Sequence, residues 1–400
     1  MDGAGGNGSN GSAAPNSASL NAKCPDCCAQ GSDAPGSALW LESFAADGVL
    51  EVGGVATDAL GNALVTRASG ETFKFAPDGQ RLWSKPFGAV VATDAMKNVY
   101  VAGTLDRVLD LGSVSLAPFG DTDAYLVKLD PNGEVVYGVR LGAGGDESVT
   151  GLAVDGASNA IVSGGGLGTL KLGPAGELLW QKSFHGHVAL DPENNVVLAG
   201  AFSRALDLGG GPLESEGGQD IFVAKLDPDG GQLFSRRFGD AGPEQRAQAV
   251  SVDAAGNILV SGVFDGSVDF GGGPLTAESA GCAELCEWGG FIAKLDPNGD
   301  HLFSRARFPI RALVGITHNS RGDVIVSGSV PSENQPYHMP LLIALDALGS
   351  ELYEISDSPS TGAGAGHRVA VDPCDNVFWT LSVLPSDAAS EQSLVLKLSP

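Results

Sequence analysis

The sequence predicts an all-β protein: a seven-bladed β-propeller of four-stranded antiparallel blades, closed by an N-terminal strand completing the last blade. Three observations lead there. A turn unit with Asp or Asn at its first and fifth positions recurs seven times. A Gly followed four residues later by an aromatic also recurs seven times. One copy of that second unit is divided between the two ends of the chain.

The Asx units begin at Asp58, Asp94, Asp155, Asp191, Asp253, Asn319 and Asp372, as in "DAAGN" from Asp253. Asx side chains bond their own backbone two residues on and tolerate the left-handed region. Each unit therefore reads as a tight hairpin between two strands, A and B. The Gly units pair Gly79 with Trp83, Gly133 with Tyr137, Gly176 with Trp180, Gly230 with Phe234, Gly299 with Phe303 and Gly349 with Tyr353. In its full form, "KLDPNG", a strand ends, turns at Pro-Gly and returns, which gives strands C and D. The chain finishes "LKLSP" and begins this pattern at "APGSALW", with Trp40 four residues after Gly36. Joined, the two ends make one complete copy. Four strands in roughly 45 residues, repeated, describe a propeller, and a ring leaves no end strand unpaired. A linear solenoid would want capping repeats rather than a motif split between termini.

The expected layout is a flexible Gly/Ser/Asn-rich tether with a cysteine cluster over 1–35, followed by the propeller over 36–400. The blades fall at about 51–88, 89–142, 147–185, 186–239, 244–308, 310–356 and 365–400 plus 36–44. Gly accounts for 58 of 400 residues and charged residues for 18%, as a turn-rich β-protein requires. The formal net charge of −25 is spread along the chain. It argues against nucleic-acid binding, which needs a basic face, and is compatible with cationic partners or Ca²⁺. No run of 18 apolar residues exists, so no transmembrane segment is expected. The tether resembles those that follow an export signal or a lipid-anchored Cys, so the expected location is extracellular, periplasmic or on the cell surface.

"AVSVDAAGNILVSGVF" (249–264), "VDFGGGPLTAES" (268–279) and "FIAKLDPNGDHLFSR" (291–305) together resemble the SBBP-type β-propeller repeat of bacterial cell-surface and secreted proteins. The resemblance covers about residues 37–400 and implies the fold but no general catalytic activity. Blades 2, 4 and 5 fit it best. Blades 1 and 3 lack the "LDLGGGPL"-like insert, and blades 6 and 7 replace it with "PSENQPYHMP" and "LPSDAASEQS".

The A–B and C–D hairpins are short and share one face. The B–C and D–A connections lie on the other and vary in length, which marks that face as the candidate site. Asp110, Asp207 and Asp269 recur in its inserts, with Asp123 and Asp220 just before strand C. These are oxygen ligands suited to Ca²⁺, or alternatively Asx turns. "DPNGD" (Asp296, Asn298, Asp300) alternates like a calcium loop but repeats the structural C–D turn. His185 and His187 could join a third ligand around a transition metal, or simply end a strand. "RGD" at Arg321–Asp323 coincides with an A–B turn. Trp288, in the long "GCAELCEWGG" loop, is off-register. With Glu284 and Glu287 it is the candidate contact for a protein or glycan.

Six cysteines are present. Cys282 and Cys286 could staple their own loop, while closure carries Cys24, Cys27 and Cys28 to the same face of blade 7 as Cys374. Disulfides in an oxidising compartment are expected, with reduced or metal-bound thiols as the alternative. No GxSxG, HExxH or P-loop occurs. The expected function is a non-catalytic, monomeric scaffold that binds a protein or glycan. The alternatives are a lyase or hydrolase at the central funnel, or a structural repeat with no small ligand.

Overall fold

The computed structural model describes residues 35–45, 52–67, 70–242, 244–277, 288–331, 338–356, 363–384 and 392–400. Among them there is no helix, and hence none long and apolar enough to cross a membrane. The strands form seven four-stranded antiparallel sheets in a ring. Blade 1 is Val52–Thr57, Ala63–Arg67, Glu71–Phe75 and Arg81–Lys85, taken as strands A to D. Blade 2 is Val90–Thr93, Val99–Leu105, Asp123–Leu129 and Val135–Leu141. Blade 3 is Gly151–Val154, Ala160–Gly164, Gly168–Leu172 and Leu178–Lys182. Blade 4 is His187–Leu190, Val196–Phe202, Asp220–Leu226 and Gln232–Phe238. Blade 5 is Gln245–Val252, Ile258–Phe264, Trp288–Leu295 and His301–Ile310. Blade 6 is Ala312–His318, Val324–Pro331, His338–Leu345 and Glu351–Ile355. Blade 7 takes Ala363–Val371, Val377–Leu384 and Gln392–Leu398 from the C-terminus, and Ala38–Ala45 from the N-terminus.

The closure read from the split motif is therefore present. Trp40 stands opposite Lys397 and Phe44 opposite Ser393. The turn is sewn by the amide of Gly36 donating to Ser399 O (3.1 Å) and that of Ser399 donating to Ser37 O (2.9 Å). Consecutive A strands touch all the way round, blade 7 onto blade 1 included.

Why does an aromatic follow each turn glycine? The seven glycines all have φ between +78° and +90°, where a side chain is strained. The aromatic does not pack on its own glycine but on that of the next blade. A Cβ at Gly79 would lie 3.2 Å from the Trp40 ring, one at Gly299 2.8 Å from Phe234, and one at Gly349 2.8 Å from Phe303. The indoles of Trp40, Trp83 and Trp180 also donate to Pro77, Pro131 and Pro228 of the following blade, at 3.0–3.3 Å. The repeated pair is thus an inter-blade latch.

A second latch was not apparent from the sequence. The leading Asp of six A–B turns caps its own turn and pairs with a buried Lys of strand C. The pairs are Lys74–Asp58, Lys128–Asp94, Lys171–Asp155, Lys225–Asp191, Lys294–Asp253 and Lys397–Asp372. In five of the six the same ammonium donates to a proline carbonyl of the next blade, for example Lys225 to Pro297 at 3.2 Å. Blade 6 has Asn319 for the Asp and Ala344 for the Lys, so both charges are missing together.

The inserts of blades 2, 4 and 5 form two-stranded ribbons, Leu109–Asp110 with Ser115–Leu116, Ala205–Asp207 with Pro212–Glu214, and Ser267–Asp269 with Pro274–Thr276. Each covers the seam with the preceding blade. The Phe270 ring sits 4.9 Å from Phe238 of blade 4 and 4.9 Å from Phe291 of its own blade.

Candidate functional site

The five aspartates grouped as calcium ligands separate into two sets. Asp110, Asp207 and Asp269 are exposed at the ribbon turns. Their Oδ1 atoms accept main-chain N–H groups of Gly112, of Gly209 and Gly211, and of Gly271 and Gly273. Asp123 and Asp220 are fully buried where strand C begins. Asp123 pairs with Arg140 at 3.0 Å and accepts the amide of Phe119; Asp220 pairs with Arg237 at 2.6 Å and accepts the amide of Glu216 at 2.9 Å. They anchor the end of each B–C loop to strand D. Blade 5 lacks both partners, having Gly289 and Ala306 at these positions. No three His, Cys, Asp or Glu side chains converge around a point among the described residues.

The DPNGD and RGD segments are turns. Asp296 accepts the amides of Asn298 (2.8 Å) and Asp300 (2.9 Å) as a C–D turn. Within "RGD", Arg321 Nε donates to Asp323 at 2.8 Å, and Asn319 accepts the amides of both residues. His185 is exposed, whereas His187 faces the central channel. Trp288 does not lie within the loop as expected. It opens strand C of blade 5 opposite Ile310, its ring half-buried against the core shared with blade 6. Glu284, Glu287, Cys282 and Cys286 lie outside the described residues, as do Cys24, Cys27 and Cys28. Cys374, on the A–B turn of blade 7, is disulfide-bonded, and every other cysteine lies outside the described residues.

The central channel is a cavity of about 190 Å³ walled by all seven A strands. Its lining is mostly apolar, and its polar side chains are Thr150, His187 and Arg368. Burial, then the nearby charge of Arg368 and then His185, push the His187 pKa down to about 3, so its imidazole is neutral at neutral pH. Arg368 donates to Val314 O. Among the described residues the lining includes no carboxylate.

Among the described residues, the most exposed aromatic on the long-loop face is one the sequence reading passed over. Phe119, in the B–C loop of blade 2, is 65% exposed, and Val108 in the same loop is 61% exposed. The Arg140 guanidinium lies 5.4 Å from the Phe119 ring centre. The signal was available, since Phe119 is off-register in a long loop just as Trp288 is.

No family model matches the chain, and no curated protein matches it, so the SBBP-type resemblance rests on the quoted motifs alone. Solved propellers do match. The WD40 β-propeller domain of Doa1 is 13% identical, with 91% of this chain and 96% of that one covered and a TM-score of 0.55. The RRP9 WD40 repeats are 11% identical, with 91% and 99% covered and a TM-score of 0.56. The Pan2 WD40 domain of Neurospora crassa is 11% identical, with 91% and 95% covered and a TM-score of 0.50. At these identities the likeness shows the propeller fold alone.

Proposed function

We propose that the protein is an exported, surface-tethered scaffold that binds a protein partner on its B–C/D–A face. The observation that carries this reading is Phe119. A large exposed aromatic with a guanidinium beside it, on a loop of a rigid ring, is the usual form of a recognition anchor. Trp288, half-buried where strand C of blade 5 begins, lies at the same face. A glycan could meet the same aromatics, but Val108, an exposed apolar side chain of the same loop, favours protein. The enzyme reading draws less support, because His187 and Arg368 are the titratable side chains that line the channel among the described residues. The SBBP-type repeat, known from secreted and surface proteins, supports the location.

Phe119→Ala tests the reading against partners captured by the purified ring from its native surroundings. The expected result is at least about thirtyfold weaker capture, equivalent to about 2 kcal/mol, with an unchanged melting temperature. Unchanged capture would sink the assignment of this face.

Export and closure predict the covalent partner of Cys374. Non-reducing peptide mapping of protein from its native compartment should join Cys374 to Cys24, Cys27 or Cys28, and Cys282 to Cys286. The first bridge would clasp the two ends of the ring and contribute about 2–4 kcal/mol. A Cys374–Cys282 or Cys374–Cys286 peptide, or six free thiols, contradicts the clasp.

A further inference from the structure

We infer that the seam between blades 2 and 3 is a binding site for a small aliphatic ammonium ligand. Four other seams show what is missing there. In blades 1, 3, 4 and 7 a Phe at or just beyond the end of strand D, four residues after the aromatic of the Gly unit, is covered by the blade that follows. Phe44 has Phe73 of blade 1 at 4.8 Å and Phe75 at 6.0 Å. Phe87 shares a core with ribbon residues Leu109 and Leu111, and Phe184 with ribbon residue Leu208. Phe238 has ribbon residue Phe270. Leu141 holds the same position in blade 2. Blade 3 has no ribbon, and Leu170 and Leu172 stand where blade 1 has Phe73 and Phe75. Smaller side chains without a ribbon leave a cavity of about 360 Å³, within the size range of small-molecule pockets.

One wall of this cavity is polar. Glu147 lines it and is only 6% exposed. Its Oε1 accepts two long bonds, from the amides of Ala143 (3.4 Å) and Gly145 (3.3 Å), and its buried Oε2 accepts none. A Cβ on Gly142 would lie 2.4 Å from that Oε2 and 2.8 Å from Asp123 Oδ1, so the two carboxylates approach each other over a glycine. A single guanidinium, Arg140, is paired there, with Asp123. Two buried carboxylates against one cation leave a negative charge that calls for a positive, hydrogen-bond-donating partner.

The same arrangement recurs between blades 4 and 5 with Asp220, Arg237, Gly239 and Gln245. Gln245 occupies the place of Glu147, since both donate their amide to the residue preceding strand C, Gln219 or Thr122, at 2.9 Å. There the acid is replaced by a neutral amide and a ribbon closes the seam. The acid thus coincides with the open cavity. The head of the ligand should be cationic, and its body should fill the space among Leu141, Leu167, Leu170 and Leu172. An alkylammonium of about six carbons meets both requirements.

The test titrates hexylammonium, hexanol and hexanoate into the full chain, read by calorimetry and ligand-observed NMR. Two variants copy the protein's own sealed seams: Glu147→Gln from blade 5, and Leu170→Phe with Leu172→Phe from blade 1. Saturable hexylammonium binding is expected, at least about tenfold tighter than hexanol or hexanoate. E147Q should remove that preference, and the paired Phe variant should abolish binding of all three while keeping or raising the melting temperature. The inference is overturned by an absence of saturable hexylammonium binding, by hexanol binding as tightly, or by binding that E147Q leaves unchanged. It stands or falls separately from the partner surface at Phe119.

Discussion

A truncation beginning at Asp47 should lose most of its stability, melting far below the full chain or aggregating as it is made. The missing segment is strand D of blade 7, and its loss acts at three places. It leaves the edge of Gln392–Leu398 unpaired along its length, a template for intermolecular pairing. It removes Phe44 from Phe73 and Trp40 from Phe75 and Phe378, rings 4.8–6.1 Å apart. It also deletes the indole bond to Pro77 that ties blade 7 to blade 1. Deleting one buried aromatic costs about 3–5 kcal/mol, and a whole domain is stable by only about 5–15 kcal/mol. Losing two rings and a ladder together should consume most of that margin. A truncation at Gly31 keeps the strand and should melt close to the full chain, apart from any bridge made by Cys24, Cys27 or Cys28. Thermal melts followed by circular dichroism decide between these outcomes, and equal melting of the two truncations would refute closure as the source of stability.

Closure was legible because it is a statement about local patterns. Asp253 and Asn257 are four residues apart, and Gly36 and Trp40 likewise, so each hairpin announces itself in one short string. What those strings touch is another matter. Trp83 packs on Gly133 rather than Gly79, a partner 50 positions away that no periodicity reveals. The Lys225–Asp191 pair spans 34 positions, and its only trace in the sequence is that blade 6 departs at both positions at once. The inserts were recognised, but not that they fold back over the seams. The blade 2–3 cavity follows from Leu in place of Phe at three separate positions, which looks conservative until the rings in the other seam are seen. Trp288 and Phe119 share one sequence description, and burial alone tells them apart.

The second large effect lies in the buried ion pairs. Lys225→Met should destabilise the ring by about 3–5 kcal/mol, because it leaves the Asp191 carboxylate buried without its cation. Both side chains are almost entirely enclosed, 9% and 0% exposed, with the ammonium 2.7 Å from the carboxylate. Neutralising both partners should cost far less. Blade 6 already lives without this pair, with Asn319 and Ala344 in place. In Asp191→Asn with Lys225→Met the Asn Oδ1 can still accept the turn amides as that of Asn319 does, once the Asn195 amide turns its oxygen to the new Nδ2, and the Met fills the space of the lysine stem. The expected cost of the double variant is under about 2 kcal/mol, well below that of Lys225→Met alone. Acid offers an independent check. Burial opposes ionisation of Asp191, but hydrogen bonds from Lys225 and Asn195 outweigh it and hold the carboxyl below its usual value of 3.8. Asp155 and Asp253 are held low in the same way, by Asn159 with Lys171 and by Asn257 with Lys294. A carboxyl depressed in the folded state contributes its full stabilisation above the unfolded pKa and loses it as pH falls through the folded one. Wild type should therefore lose stability steeply only below about pH 4. The gap between wild type and the double variant should narrow over that same interval. Denaturant melts at pH 7 and pH 3 measure both, and a double variant as unstable as Lys225→Met alone would show that the loss comes from packing rather than from a stranded charge.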